Sequence, residues 1–221
     1  MTVVFLREMH SRHVLPLLLF CCASLFAQQP ATPIAHSSNL GFSYSLPADW
    51  EVVDSHPTLP GVQQQVTQNA STEDERKGIA CVQIALTARD KRSGSMVVVV
   101  ALPFDCFGQV MTEKDLPGFA DGASEGLRAS FDMSEPMYGS YPLGSHSMWI
   151  ERAKGSLKDH PDLKYTVEIS CSLLKKAAVC WMAMAGDQNA LHVFESGAAM
   201  LDGDSYPALV PSNAFEKKPM S

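Results

Sequence analysis

The sequence predicts an α+β domain in which helices pack on an antiparallel β-sheet. Alternating apolar and polar residues predict strands in the first half of the chain, and a run of four such segments occupies 137–185. Amphipathic helical patterns at 112–131 and 187–201 interrupt and close this series. Because the strands come in runs and do not alternate one by one with helices, the pattern favours an antiparallel sheet over parallel βαβ units.

The first half supplies a strand, a turn and a hairpin. Apolar and serine side chains alternate over 41–46, which predicts a strand, and a second extended piece begins at Trp50 after a proline turn. Residues 54–78 are polar and predict a loop or a short irregular helix. Segments 79–89 and 96–104 predict a hairpin around Ser93-Gly94.

The helix predicted at 112–131 begins with an N-terminal capping pattern. Thr112 is followed three residues later by Asp115, which is typical of an N-terminal cap. Gly118, Gly122 and Gly126 recur every four residues, and we expect this glycine face to let the helix lie close on the sheet.

The second half continues as a meander. Strands are predicted at 137–143, 146–156, 164–173 and 178–185. A closing helix over 187–201 follows, with Asp187 as its cap.

Residues 9–27 have the pattern of an export signal. Arg12 precedes an apolar run from Val14 to Phe26, and Ala27 offers a small residue for cleavage. The run is shorter than the roughly 20 residues that a spanning helix needs. Two alternatives stay open: an uncleaved membrane anchor, and a translation start at Met9 in place of Met1. We expect a secreted or periplasmic protein with no membrane span after cleavage.

Composition limits the class of partner. The chain has 221 residues and a formal net charge of −7, with no basic cluster, so it is poorly suited to bind nucleic acid or anionic lipid. No cofactor motif occurs. The expected organisation is a signal peptide, a flexible leader, a single α+β domain and a tail, at 1–27, 28–39, 40–203 and 204–221.

Four cysteines remain after the signal, and an oxidising compartment predicts disulfides. No Cys-x-x-Cys occurs, which disfavours zinc. A two-residue turn at Lys175-Lys176 places Cys171 directly opposite Cys180. A longer loop with a shifted register is the alternative there.

The second predicted pair is Cys81–Cys106. A hairpin centred on Ser93-Gly94 sets these two cysteines opposite each other, although Pro103 interrupts the far end of the second strand.

The chain resembles the PsbP-like family, exported relatives of an extrinsic photosystem subunit. The residues that carry the resemblance are Gly41 to Val53, a strand, a turn and a tryptophan, together with an apolar strand, Gly186-Asp187 and a helix containing Phe194. The resemblance implies an α/β/α-type sandwich on an antiparallel sheet, usually without an enzymatic site. The four cysteines depart from the family pattern.

Chemical motifs are sparse. Ser172 to Lys175 matches Ser-x-x-Lys in letters but falls at a strand end, and no Gly-x-Ser-x-Gly occurs. His192 and Glu195 lie three apart on the last helix, while His146 and His160 fall at a strand start and in a turn. A metal site built from these histidines is less favoured than solvated or core-edge histidines.

Two hypotheses of function follow. The first is a non-catalytic exported module that binds a partner protein, an envelope component or a small ligand. The second is an exported hydrolase whose site is assembled from distant residues. A deep pocket that gathers His146 or His192 with a carboxylate would favour the hydrolase.

Overall fold

The computed structural model of the chain describes residues 34–47, 49–53 and 72–215. The predicted signal peptide lies outside the described residues. Within them the strands are β1 Ile34–Ser38, β2 Phe42–Leu46, β3 Glu51–Val52, β4 Gln83–Arg89, β5 Met96–Pro103, β6 Phe131–Met133, β7 Met137–Leu143, β8 His146–Leu157, β9 Lys164–Leu173, β10 Ala177–Ala185, β11 Ala199–Leu201 and β12 Asp204–Tyr206. The α-helices are α1 Glu73–Cys81, α2 Phe104–Phe107, α3 Leu116–Arg128 and α4 Gln188–Glu195. This is an α+β fold, as the sequence predicts.

The strands form two antiparallel sheets. The larger sheet has the order β3-β4-β5-β10-β9-β8-β6, and β7 pairs with the other end of β8. The smaller sheet has the order β1-β2-β11-β12. The sequence analysis did not predict the smaller sheet, because β1, β11 and β12 lie in segments assigned to the leader, the closing helix and the tail.

The two faces of the larger sheet are covered differently. Helix α4 and side chains of the smaller sheet pack on one face, which we call the inner face, where the Phe42 and Trp181 rings meet edge to face with centroids 5.6 Å apart. Helix α3 packs on the opposite, outer face through Leu116 and Ala120, against a cluster that contains Cys171 and Cys180. Apolar burial on both faces is the main favourable contribution to this fold.

The hairpin of β9 and β10 lies at the centre of the larger sheet. Every residue of β10 is buried, and its register sets Cys180 opposite Cys171. Lys175-Lys176 forms the predicted tight connection, and the Leu174 N–H donates to the Ala177 carbonyl at 2.8 Å. The hairpin predicted for this segment is therefore confirmed.

The structure contains the disulfides Cys171–Cys180 and Cys81–Cys106. The second bond does not arise from the hairpin register that the sequence suggested. Helix α1 extends through Cys81, where a strand was predicted from residue 79, and Cys106 lies in α2. A bulge between Ile84 and Leu86 also shifts the ladder of β4 and β5. The bond therefore joins two helices at the ends of these strands.

The prediction for the glycine face of α3 is wrong. Leu116 and Ala120 face the sheet, and Gly118 and Gly122, each two residues further on, are exposed about 200° around the helix from them. A β-carbon added at Gly118, Gly122 or Gly126 would meet nothing within 4 Å. The helix cap is confirmed, since Thr112 and Asp115 form a reciprocal capping box before a short 3₁₀ turn at Glu113–Asp115.

The closing helix is shorter than predicted. Asp187 caps it as expected, its carboxylate accepting the Ala190 N–H at 2.8 Å, but α4 ends at Glu195. A β-carbon at Gly197 would lie 2.5 Å from the Tyr44 ring, so this buried tyrosine occupies the space beside the glycine. The chain turns there, and residues 199–201 become β11.

Ordered structure extends beyond 40–203 at both ends. Strand β1 lies within the segment assigned to the leader, and β12 lies within the segment assigned to the tail. Leu209, Val210 and Ala214 are buried in the core of the inner face, since their apolar side chains complete its cover. No described helix has both the length and the apolar content needed to span a bilayer.

Candidate functional site

Arg152 is the centre of a charged cluster on the inner face. It lies on β8 directly opposite Glu168 of β9, because the register of the two strands pairs these positions. Its Nε donates to Glu168 Oε2 at 2.7 Å, and its Nη2 donates to the same oxygen. Nη2 also donates to Glu195 Oε1 from helix α4.

The Phe215 ring fixes the plane of this guanidinium. The Arg152 Cζ atom lies 4.2 Å from the ring centroid, within the range of a cation–π contact. Two carboxylates and one aromatic face therefore hold Arg152. Its Nη1 makes no hydrogen bond to any residue that the structure describes.

Glu168 is an unusual acid because its side chain is 0% exposed. Burial raises the pKa of its carboxyl to about 7, although the Arg152 charge and hydrogen bonds act in the opposite direction and Glu195 adds to the rise. Its Oε1 has no hydrogen-bond partner among the described residues. Burial, together with the charge of Glu168, also raises the pKa of Tyr44 and of Tyr141.

A cavity of about 350 Å³ opens beside Arg152, between α4 and the chain segment 210–215. This volume falls in the range of small-molecule sites in proteins. Charged, polar and apolar side chains share the lining, which consists of Arg152, Gln188, Leu191, His192, Glu195, Val210, Pro211, Ser212, Ala214 and Phe215.

Backbone hydrogen bonds hold the two walls of the cavity together. The Val210 N–H donates to the Glu195 carbonyl at 2.9 Å, and the Leu209 N–H donates to the Gly197 carbonyl at 2.9 Å. Tyr141 on β7 donates its hydroxyl to the Leu209 carbonyl at 3.0 Å. The segment after β12 is therefore part of the site, since it is tied to the end of α4 and to the larger sheet.

The three candidate histidines occupy different environments. His192 lines the cavity together with Glu195, whereas His146 lies against the Tyr206 ring and its Nδ1 is 3.3 Å from the Leu173 carbonyl oxygen. His160 lies in the connection between β8 and β9. Among the described residues, no three His, Cys, Asp or Glu side chains come together as a set of metal ligands.

The structure does not form a nucleophile from the residues that the sequence suggested. Ser172 is buried on β9 and donates its hydroxyl to the Ser147 carbonyl at 3.0 Å. The Lys175 backbone N–H donates to the Asp202 carboxylate. Within the described residues no serine, threonine or cysteine side chain hydrogen-bonds a histidine.

Comparison with known proteins shows a likeness in fold and none in sequence family. No protein-family model and no curated protein matches the chain. The fold is similar to that in the solution structure of cyanobacterial PsbP (CyanoP) from Synechocystis sp. PCC 6803, with a TM-score of 0.45 and 10% sequence identity. The likeness covers 77% of this chain and 89% of that chain.

Sequence analysis found part of this site. It singled out His192 and Glu195 as one face of the last helix, and both line the cavity. It missed Arg152 and Glu168, although both follow the alternation of their strands onto one face. Their pairing becomes visible only once the register of β8 on β9 is known.

Proposed function

We propose that the protein is an exported, non-catalytic module that binds a small ligand in the cavity between α4 and 210–215. The observation that carries this proposal is the Arg152 guanidinium, which Glu168 and Glu195 hold in place in the lining of a cavity of about 350 Å³. A charged group that is already oriented binds a ligand without the cost of ordering a flexible side chain.

Three features support action outside the cytoplasm, in a secreted or periplasmic setting. Disulfides persist in oxidising compartments, and this chain carries Cys81–Cys106 and Cys171–Cys180. Residues 9–27 have the composition of an export signal. The resemblance of 41–53 to PsbP-like proteins agrees with an accessory role and with membership of that family.

The proposal is tested by blocking the cavity. Native mass spectrometry of the purified protein, after incubation with an extract of envelope metabolites, should show a retained small molecule. Ser212→Trp places a bulky ring at the lining and should abolish retention. Asn213→Trp is the matched control, because Asn213 is an exposed neighbour that does not line the cavity. Equal retention by both variants would contradict the proposal.

One observation favours the alternative of an exported hydrolase: His192 and Ser212 line the same cavity as Glu195. Ester and amide hydrolysis by this set would require His192 as the general base. His192→Ala separates the two functions, since it would abolish hydrolysis of a panel of chromogenic esters but leave ligand retention in place.

A further inference from the structure

We infer that the cavity binds a free α-amino acid with an apolar side chain, its carboxylate on Arg152 and its ammonium on Glu195. This inference deepens the proposed function and rests on it. It follows from the charged side chains that line the cavity and from their oxygen and nitrogen atoms that have no hydrogen-bond partner among the described residues.

Arg152 offers a donor to the carboxylate of the ligand. Arg152 uses Nε and Nη2 to bind Glu168 and Glu195, and Nη1 donates to no described residue. A guanidinium edge is a strong donor to a carboxylate because the bond is charge-assisted. Glu168 binds the Nε and Nη2 atoms of the guanidinium, and this contact fixes the direction in which Nη1 points.

Glu195 offers an acceptor to the ammonium of the ligand. Glu195 accepts from Arg152 with Oε1, and no described residue donates to its Oε2. Its side chain is 24% exposed, as is that of Arg152, so both groups are partly open to solvent and to a ligand. The acceptor Oε2 and the donor Nη1 therefore belong to two oppositely charged side chains that are in contact with each other and that both line the cavity.

The opposite charges of Arg152 and Glu195 disfavour the binding of a simple anion or cation. A bare anion on Arg152 would face the carboxylates of Glu195 and Glu168, and a bare cation on Glu195 would face the guanidinium of Arg152. A zwitterion places an opposite charge on each group. The neighbouring walls at Leu191, Val210 and Phe215 are apolar, which suits an aliphatic or aromatic side chain.

The test compares ligands that differ by one charge. Titration calorimetry of the purified, disulfide-intact protein uses L-leucine, N-acetyl-L-leucine, which lacks the ammonium, and L-leucinamide, which lacks the carboxylate. We expect each derivative to bind about tenfold or more weakly than leucine, since each loses one charge-assisted hydrogen bond.

The variant Glu195→Gln tests whether Glu195 binds the ammonium of the ligand. Glu195→Gln should weaken leucine about tenfold and should not weaken N-acetyl-L-leucine, because that ligand brings no ammonium and its carboxylate would face one negative charge fewer. Glu125→Gln is the matched control, since it removes the same charge from an exposed side chain of α3 on the outer face, and we expect it to have no effect.

The outcomes separate this inference from the proposed function. If either derivative binds as tightly as leucine, or if Glu195→Gln weakens all three ligands equally, amino-acid recognition is overturned. If no ligand of the series binds while Ser212→Trp still blocks metabolite retention, the inference is overturned and the cavity keeps its role as a binding site. If no ligand of the series binds and Ser212→Trp does not block metabolite retention, both the inference and the proposed function are overturned.

Discussion

At the scale of single residues, Glu168 is a charged side chain that the fold buries completely. A fully buried carboxylate is costly unless it is paired and hydrogen-bonded, and here Arg152 supplies the pairing from the neighbouring strand. The pairing is incomplete, because Oε1 stays without a partner among the described residues. Such a group favours the protonated form, which makes the stability of the fold depend on pH.

The sign of that dependence follows from the pKa of Glu168. Folding raises this pKa from 4.5 to about 7, so the native state binds more protons than the unfolded state between these values. The contribution is fully present below pH 4.5 and is lost as the pH rises through 7, with a total of about 3 kcal/mol. We expect Glu168→Gln to be about as stable as wild type at pH 4.5 and more stable at pH 8.

Urea denaturation from pH 4.5 to 8 measures this difference. The carboxyls of Glu51, Asp90 and Asp115 have lowered pKa values and change stability in the opposite direction, so the useful quantity is the difference between variant and wild type. Glu125→Gln should follow the wild-type curve. A constant difference between Glu168→Gln and wild type at every pH would contradict the assignment.

Gly197 shows how a single position fixes the end of a helix. A β-carbon there would lie 2.5 Å from a Tyr44 ring that is 0% exposed, and the Tyr44 hydroxyl donates to the Phe194 carbonyl at 2.7 Å. The ring cannot move without breaking this bond. We expect Gly197→Ala to lower the free energy of unfolding by about 1–3 kcal/mol, measured by urea denaturation. An unchanged midpoint would show that the ring relaxes freely.

At the scale of secondary-structure elements, α3 carries glycines that the fold does not need. Gly118 and Gly122 face open space, so their missing β-carbons serve no packing contact. Glycine in a helix interior costs about 1 kcal/mol relative to alanine, through the larger freedom of the unfolded chain. The helix depends instead on its capping box and on the apolar stripe against β9.

Gly122→Ala should therefore stabilise the protein, by about 1 kcal/mol in the free energy of unfolding. The same substitution at Gly197 has the opposite expected sign, which makes the two variants controls for each other. Thermal denaturation of both proteins in one buffer is sufficient. A destabilising Gly122→Ala would indicate that something packs on this face of α3 in solution.

The sequence predicted the elements whose determinants are local. The strand at 42–46 follows from alternation, and both helix caps follow from one polar residue at a fixed spacing. Element ends that depend on distant contacts were missed: α4 stops where Tyr44 meets Gly197, and α1 runs into Cys81. The cavity was missed for the same reason, because Arg152, Glu195 and Phe215 come from distant parts of the chain.

At the scale of the whole molecule, the hairpin of β9 and β10 is covered on both faces and forms the centre of the larger sheet, and the cavity beside Arg152 lies away from it. Cys171 and Cys180 are both 0% exposed under α3, whereas Cys106 is exposed at the end of β5. The two disulfides should therefore become accessible to a reductant under different conditions. We expect a reductant to reach the first only when the sheet and its cover open together, and to reach the second in the folded protein through the exposed Cys106, since Cys81 is only 5% exposed.

We expect graded reduction to proceed in two stages. Low concentrations of a phosphine reductant, followed by alkylation and peptide mass spectrometry, should label Cys81 and Cys106 first. Labelling of Cys171 and Cys180 should require denaturant and should follow the global unfolding curve, because attack on a disulfide needs access to a sulfur atom. Gly122→Ala should slow this second stage without changing the first. Equal labelling of both pairs in native buffer would mean that the central hairpin opens locally, and that the inner and outer faces do not unfold as one unit.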